Sequence, residues 1–364
     1  MSSIWGHSIR ISVFGESHGA GIGVVVDGFP SGVPIDLDRL AALMERRAPG
    51  RTPWSTARKE ADRPEILSGL YQGCTTGTPI TALIRNTDTR SVDYAPQASC
   101  PRPGHADYTG SVRYGGFQDP RGGGHFSGRL TAPLVFAGGL CLQWLALRGI
   151  RVYAHAARIG GIDDSPLDFV WPDEAALAAV ADKRMPVLSD EAGKAMATAV
   201  EQARQDTDSV GGVVEGVVLG LPAGLGDPMF LGLEARLGSL LFSIPAVKAV
   251  GFGDGFGVSD ALGSTNNDRL FYDDGTVRMR TNHGGGIDGG ISNGMPVVFR
   301  AAFKPTPSIA SPQETVDLAK REETLLVVKG RHDPCIVPRA VPVVEACAAL
   351  VIADTLKGAP HHDR

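Results

Sequence analysis

At 364 residues, with 43% hydrophobic and 21% charged, the chain is long enough for one large domain or two ordinary ones and can bury a sizeable core. A formal net charge of -5 argues against a general nucleic-acid or membrane-surface binder, which would carry a basic balance. Five scattered cysteines (Cys74, Cys100, Cys141, Cys335, Cys347) contain no C-x-x-C pair, so neither a disulfide framework nor a zinc site is expected and the thiols read as free in a reducing compartment.

In chain order, the first ten residues lack the apolar core of a signal peptide, and a cytoplasmic location is expected. Strands are predicted at 8–14 and 22–27, then a helix over 37–47 capped by Asp36, then strands at 66–70 and 80–85. The apolar run 130–147 is interrupted by Pro133, Gly138, Gly139 and Gln143. A span needs roughly 20 apolar residues, so a buried core helix is predicted instead. Further strands fall at 151–157, 213–219, 247–252 and 296–303, and helices at 190–205, 229–242 and 341–357, the last closed by Gly358. The charged stretch 163–208 reads as solvent-facing helices. Ser311-Pro312-Gln313-Glu314 has the form of a capping box opening a helix. Strands and helices mix without regular βαβ alternation, which predicts an antiparallel-rich α+β fold in a single domain over 1–364, with a disordered tail at about 359–364.

No G-x-x-x-x-G-K-[ST] occurs, which excludes a P-loop; no G-x-G-x-x-G joins a strand to a helix, and no paired histidines or cysteines suggest a metal. Gly15-Glu16-Ser17-His18-Gly19 is a literal G-x-S-x-G, but the glycines and β-branched valines that follow it make a second strand, not the helix of a hydrolase elbow. Four segments combine histidine, arginine and glycine: 15–19, Arg102-Pro103-Gly104-His105-Ala106-Asp107, 121–129, and Lys329-Gly330-Arg331-His332-Asp333-Pro334-Cys335. Glycine exposes backbone N–H groups to oxyanions, arginine offers a fork to phosphate or carboxylate, and histidine carries a proton that moves near neutral pH. A basic stretch (Arg46, Arg47, Arg51, Arg58, Lys59, Arg63) adds to them. Each segment alone has a bland reading as a surface loop or solvated helix end. Together they predict a site for a small, multiply anionic substrate, one of whose charges leaves as phosphate.

These segments, with Thr75-Thr76-Gly77-Thr78-Pro79-Ile80, Asn86-Thr87-Asp88, Gly289-Gly290-Ile291-Ser292-Asn293-Gly294 and Lys304-Pro305-Thr306, stand in an order that closely resembles the chorismate synthase family from the first strand to the last helix. The resemblance implies a 1,4-anti elimination of phosphate and a ring proton from 5-enolpyruvylshikimate-3-phosphate, giving chorismate. It implies dependence on reduced FMN without net redox change, an α+β sandwich with helices between β layers, and a homotetramer. Carried over position by position, it implies that His18, beside Ser17, protonates the leaving phosphate, that His105 protonates the reduced flavin, and that Asp333 assists removal of the ring proton. Arg47, Arg102, Arg129 and Arg331 would hold phosphate and carboxylates. FMN would contact His125, Phe126, Ser127, Pro245, Ala246, Gly289, Lys304, Pro305, Thr306, Pro307, Ser308 and Arg331. With no nicotinamide fingerprint in the chain, NADPH is expected only as an indirect reductant.

The chain departs from the family's commoner form in places. After Gly124, where Arg-Ser-Ser-Ala-Arg-Glu-Thr is usual, it reads His125-Phe126-Ser127-Gly128-Arg129-Leu130-Thr131; Pro307 replaces a serine; and Pro53 stands where a second basic residue is usual, with Arg51 the nearest replacement. Two other readings compete: a serine hydrolase using Ser17, which predicts fluorophosphonate labelling, and a flavin- or nucleotide-binding module without chemistry, which predicts no phosphate release.

Overall fold

The computed structural model describes residues 3–50, 62–87, 99–328 and 333–359. Two five-stranded antiparallel sheets enclose a helical layer. The first runs Ile4–Trp5, Arg10–Gly15, Gly21–Asp27, Ile80–Arg85, Pro64–Ser68 across its width; the second runs Val247–Phe252, Val297–Phe303, Gly212–Leu219, Arg151–Ile159, Ile162–Asp163. Strand Ile80–Arg85 alternates buried and half-buried residues, so that Ile80, Ala82 and Ile84 face the core as a one-sided strand requires.

Helix Thr131–Ala146 packs on the first sheet and against the C-terminal helix Val337–Gly358, which lies on the second sheet. Both are apolar nearly all round because both have protein on every side. The stretch Gly128–Ala146 is long and apolar enough to cross a membrane, but 89% of it is buried inside the protein. Gly138 permits the close crossing of the two helices, since a Cβ there would run into the backbone of Ala346. The bend between strands Ile4–Trp5 and Arg10–Gly15 is tied to the same C-terminal helix by Asp354, whose buried carboxylate accepts the backbone N–H groups of His7 (3.0 Å), Ser8 (2.6 Å) and Ile9 (2.7 Å) and pairs with Arg236.

The predicted helices Leu37–Arg47 and Asp190–Gln205 form as expected, with the Asp36 carboxylate accepting from the N–H groups of Asp38 and Arg39. Three expectations are corrected. Residues 311–314 do not open a helix: Gln313–Asp317 is a strand paired with Glu322–Leu326, because Thr315 and Val316 favour the pleat and the sequence offers no apolar helical stripe. The helix predicted over 229–242 breaks at Gly232, whose extended backbone packs on Gly290, so that only Leu233–Phe242 is α-helical. The last helix begins at Val337, four residues early, with a proline in its first turn. The expected tail falls almost entirely outside the described residues.

On the outer face of the second sheet, His155, Glu215 and Arg300 are cross-strand neighbours in register. The buried His155 ring meets Asp164 through Nδ1 at 2.9 Å and Glu215 through Nε2 at 3.1 Å, and Glu215 in turn accepts from Arg300 at 2.6 Å. Burial works to lower the His155 imidazole, but its hydrogen bonds to the two carboxylates outweigh burial and raise it. A folded-state value above the unfolded one of about 6.5 gives stability that is fully present below that pH and is lost as pH rises through the folded value. The gap in melting temperature between wild type and His155→Gln should therefore be widest near pH 6 and narrow above about pH 6.5. A gap that is constant with pH in thermal denaturation would show that His155 is neutral in the folded protein.

Candidate active site

A cleft of about 590 Å3 opens among the loops and helix ends, within the size range of small-molecule and cofactor sites. It is reached by residues from the turn between strands Arg10–Gly15 and Gly21–Asp27, the end of helix Leu37–Arg47, the 102–131 segment, the 242–248 turn, the 303–308 loop and the start of the C-terminal helix. Its lining combines apolar side chains (Phe126, Phe242, Ile244, Val247, Phe303 and Val343) with six cations: Arg47, Arg102, Arg129, Arg339, Lys248 and Lys304.

The triplet Gly122-Gly123-Gly124 brings His18 and His105 together. All three glycines have positive φ (58°, 81° and 52°), a left-handed run that other residues resist. A Cβ on Gly122 would occupy the His18 ring, and one on Gly123 would lie 3.1 Å from Cε1 and Nε2 of His105. The bare backbone is thus the surface on which both imidazoles rest. Ser17 is fully buried, its Oγ 3.1 Å from where that Gly122 Cβ would stand, and does not line the cleft. The strand–turn–strand geometry around it, Arg10–Gly15 to Gly21–Asp27, is not a nucleophile elbow.

His105 Nδ1 faces the Asp107 carboxylate at 2.6 Å, an acceptor that keeps a proton on Nδ1 and turns Nε2 toward Gly123. The same carboxylate accepts from Arg102 Nε (2.7 Å) and Nη2 (2.8 Å), while Arg102 Nη1 donates to Ser308 at 3.0 Å. Burial works to raise the Asp107 carboxyl, but Arg102 and His105 override it and hold it well below the usual carboxylate range. Arg47 and Arg129 share the buried Asp62, and Arg339 pairs with Asp333 while its Nε donates to the Arg47 carbonyl at 2.9 Å. Arg46, next in sequence to Arg47, turns away and forms a bidentate pair with Glu345 at 2.6 and 2.9 Å. Each described guanidinium of the cleft is thus aimed from behind by a carboxylate.

Of the expected flavin contacts, His125, Phe126, Ser127, Pro245, Ala246, Lys304, Thr306, Pro307 and Ser308 all line the cleft. Phe126 sets one edge of its ring against Gly110, where a Cβ would come within 2.7 Å of Cε2, and its ring centroid is 6.1 Å from that of Tyr114. His125 Nδ1 bonds the Gly15 carbonyl at 2.8 Å, bracing the turn that carries His18. Ala246 holds φ 78°, a left-handed conformation costing about 1–2 kcal/mol in a non-glycine residue, and its carbonyl accepts the Lys304 N–H at 3.0 Å. Burial, and then the nearby Lys248, lower the Lys304 ammonium. Two expected contacts fall elsewhere. Pro305 packs on Gly211 and points out of the cleft, and Gly289 sits in the tight turn of the Ile287–Ser292 hairpin beside Gly232, away from the cleft wall. Arg331 lies outside the described residues, as do Arg51, Arg58 and Lys59.

Sequence reasoning missed Asp62, Arg339 and Lys248 and gave Asp107 no role. Asp107 could have been read from its place five residues after Arg102 in one motif, and Arg339 from its place six after Asp333. Asp62 and Lys248 carry no spacing signal, because the fold alone brings them to the cleft.

Comparison with known proteins decides the family. The pattern described as Chorismate synthase matches residues 9–356. The chain belongs to the chorismate synthase family. Chorismate synthase of Thermococcus kodakarensis is 47% identical over 352 residues, 96% of each chain; that of Methanosarcina mazei is 48% identical over 354, covering 97% of this chain and 95% of the relative. A crystal structure of chorismate synthase superposes with a TM-score of 0.76 at 27% identity, over 97% of this chain and 92% of that one. The expected α+β sandwich is therefore the fold of the family. The activity is that of a chorismate synthase, a carbon–oxygen lyase that makes chorismate from a phosphorylated small molecule in aromatic amino-acid biosynthesis. Reduced FMN is a property of the family's reaction.

Proposed function

We propose that the cleft binds 5-enolpyruvylshikimate-3-phosphate beside reduced FMN and that His18, His105 and Asp333 handle its protons. The observation that carries this reading is the meeting of His18 and His105 on adjacent glycines of one loop, in a cleft lined by four described guanidiniums. Arg47, Arg102 and Arg129, joined by Arg331, hold the phosphate and carboxylates; Arg339 keeps the Asp333 carboxylate oriented. His18 donates a proton to the departing phosphate. His105, held by Asp107, delivers its proton from Nε2, and Asp333 assists loss of the ring proton at a carboxylate oxygen.

The cleft fits a flavin. Its apolar side chains suit a flat tricyclic ring, its lysines suit a phosphate, and the Thr306 Oγ1 is a buried polar atom of the 303–308 loop that no protein group satisfies among the described residues. Phe126, Pro245 and Ala246 would hold the ring, and Lys304 with Lys248 the phosphate end. The chemistry that reduced FMN would supply when bound is electron density that weakens the allylic C–O bond to phosphate. The working enzyme is a cytoplasmic homotetramer, each chain a single domain, with its flavin reduced from outside and NADPH serving only indirectly.

Anaerobic phosphate release tests this. Dithionite-reduced FMN should support turnover, and NADPH with oxidised FMN should not. His105→Ala and His18→Ala should each fold, retain FMN and lose about a hundredfold or more in kcat. Full turnover by either variant would remove that histidine from the mechanism, and fluorophosphonate labelling of Ser17 would favour the hydrolase.

A further inference from the structure

Asp62 reaches neither the cleft surface nor solvent, yet two cleft arginines converge on it. One oxygen accepts from Arg47 Nε at 2.7 Å and pairs electrostatically with Nη2 at 2.5 Å; the other accepts from Arg129 Nη1. Neutral acceptors steady the forks further: Arg47 Nη1 donates to Thr131 Oγ1 at 3.3 Å, and Arg129 Nε to Asn86 Oδ1 at 3.1 Å. Asp62 itself sits at φ 47°, a left-handed position that Asp tolerates better than most residues. Its carboxylate is thus fixed from its own backbone as well as by its partners.

We propose that Asp62 is a positioning residue for substrate binding, its buried carboxylate holding the Arg47 and Arg129 guanidiniums charged, side by side and aimed into the cleft. The proposal rests on the reading that these two arginines hold anionic groups of the substrate. Two guanidiniums brought together while 2% and 6% exposed repel each other and lose hydration. The guanidinium of Arg339, whose side chain donates to the Arg47 carbonyl, adds a third positive charge from the C-terminal helix. Burial first, then Arg339 and Arg129, bring Arg47 down to about 10 even with Asp62 opposing them. Removing the carboxylate leaves burial and the two neighbouring guanidiniums unopposed, so Arg47 loses its proton at a lower pH and its attraction for a phosphate with it. A second effect follows from geometry: with no shared acceptor, the forks are free to separate.

The test is calorimetric binding of 5-enolpyruvylshikimate-3-phosphate in the presence of oxidised FMN, where no turnover occurs, for wild type, Asp62→Asn, Asp62→Glu and Arg129→Gln between about pH 7 and pH 9. Lys248, Lys304 and the cleft histidines titrate in all four proteins, so the ratio of dissociation constants to wild type isolates the arginines. Asp62→Asn should bind at least about thirtyfold more weakly near neutrality, with the ratio growing as pH rises. Asp62→Glu keeps the charge but lengthens the arm by one methylene. It should fold, bind about tenfold more weakly and show no pH slope in the ratio. Arg129→Gln should lose affinity, and undiminished binding there would overturn both the proposal and the reading beneath it. With Arg129→Gln impaired, wild-type binding by Asp62→Asn overturns the proposal alone, and so does a loss that is the same at every pH, since that marks a merely structural carboxylate. Should Asp62→Asn fail to fold, wild-type affinity in Asp62→Glu overturns it instead.

Discussion

Gly122→Ala is expected to lower kcat by about two to three orders of magnitude while moving the melting temperature by no more than a few degrees. The backbone there has φ 58°, which alanine adopts at a cost of about 1 kcal/mol. The added methyl group, however, has no room: its position coincides with Nδ1 and Cε1 of His18. Either the ring or the glycine loop must move, and the loop is held on its other side by Gly124, where a Cβ would run into the Asp119 carbonyl. The ring therefore swings away from the cleft, and a general acid whose contribution is about a hundred- to ten-thousandfold is lost. Phosphate release paired with a circular-dichroism melt separates the outcomes. A variant with near wild-type kcat would mean that His18 does not act from this seat; a variant that unfolds would mean that the loop, not the ring, gives way.

Asp354→Ala is expected to be the most damaging substitution far from the cleft. It removes the acceptor of three backbone N–H groups at residues 7–9 and leaves the half-buried Arg236 guanidinium without its carboxylate. Breaking a buried charge pair from one side costs about 3–5 kcal/mol, because the surviving charge and donors stay desolvated. For a chain of this length that corresponds to a fall of roughly 5 °C in melting temperature. Hydrogen exchange at Ser8 and Ile9 should rise in step. A melting temperature unchanged within error would show that the N-terminal strand is held by its sheet pairing alone.

The elements written into local sequence were legible. Asp36 before an apolar stripe announces a helix start, and alternating Ile80, Ala82 and Ile84 announce a one-sided strand. The glycine clusters beside His18, His105 and Arg129 marked the loops of the cleft. Legibility ended where an outcome depends on residues distant in the chain. Ser311-Pro312-Gln313-Glu314 satisfies every local rule for a helix start, and pairing with Glu322–Leu326 overrides them. Gly289 shares its glycine-rich signature with the cleft loops but serves a hairpin turn packed on Gly232. Arg46 and Arg47 are adjacent and chemically identical, yet one braces Glu345 and the other reaches the cleft; only the rotation of one helical step tells them apart. The carboxylates Asp62 and Asp107 escaped assignment because attention to an anion site searches for positive groups, whereas the counter-charges fix where those groups point.

The C-terminal helix has a consequence for synthesis. Its first turn brings Arg339 to Asp333 and the cleft, its middle supplies Glu345 to Arg46, and its end clasps a bend 345 residues upstream. A ribosome must therefore synthesise this helix before the opening segment finds its anchor or the cleft its last wall. Nascent fragments can form hairpins of either sheet, but they have no pocket to fill. Assembly of a competent cleft is therefore a late event, and substrate or flavin can act as a folding aid only once the C-terminal helix has formed.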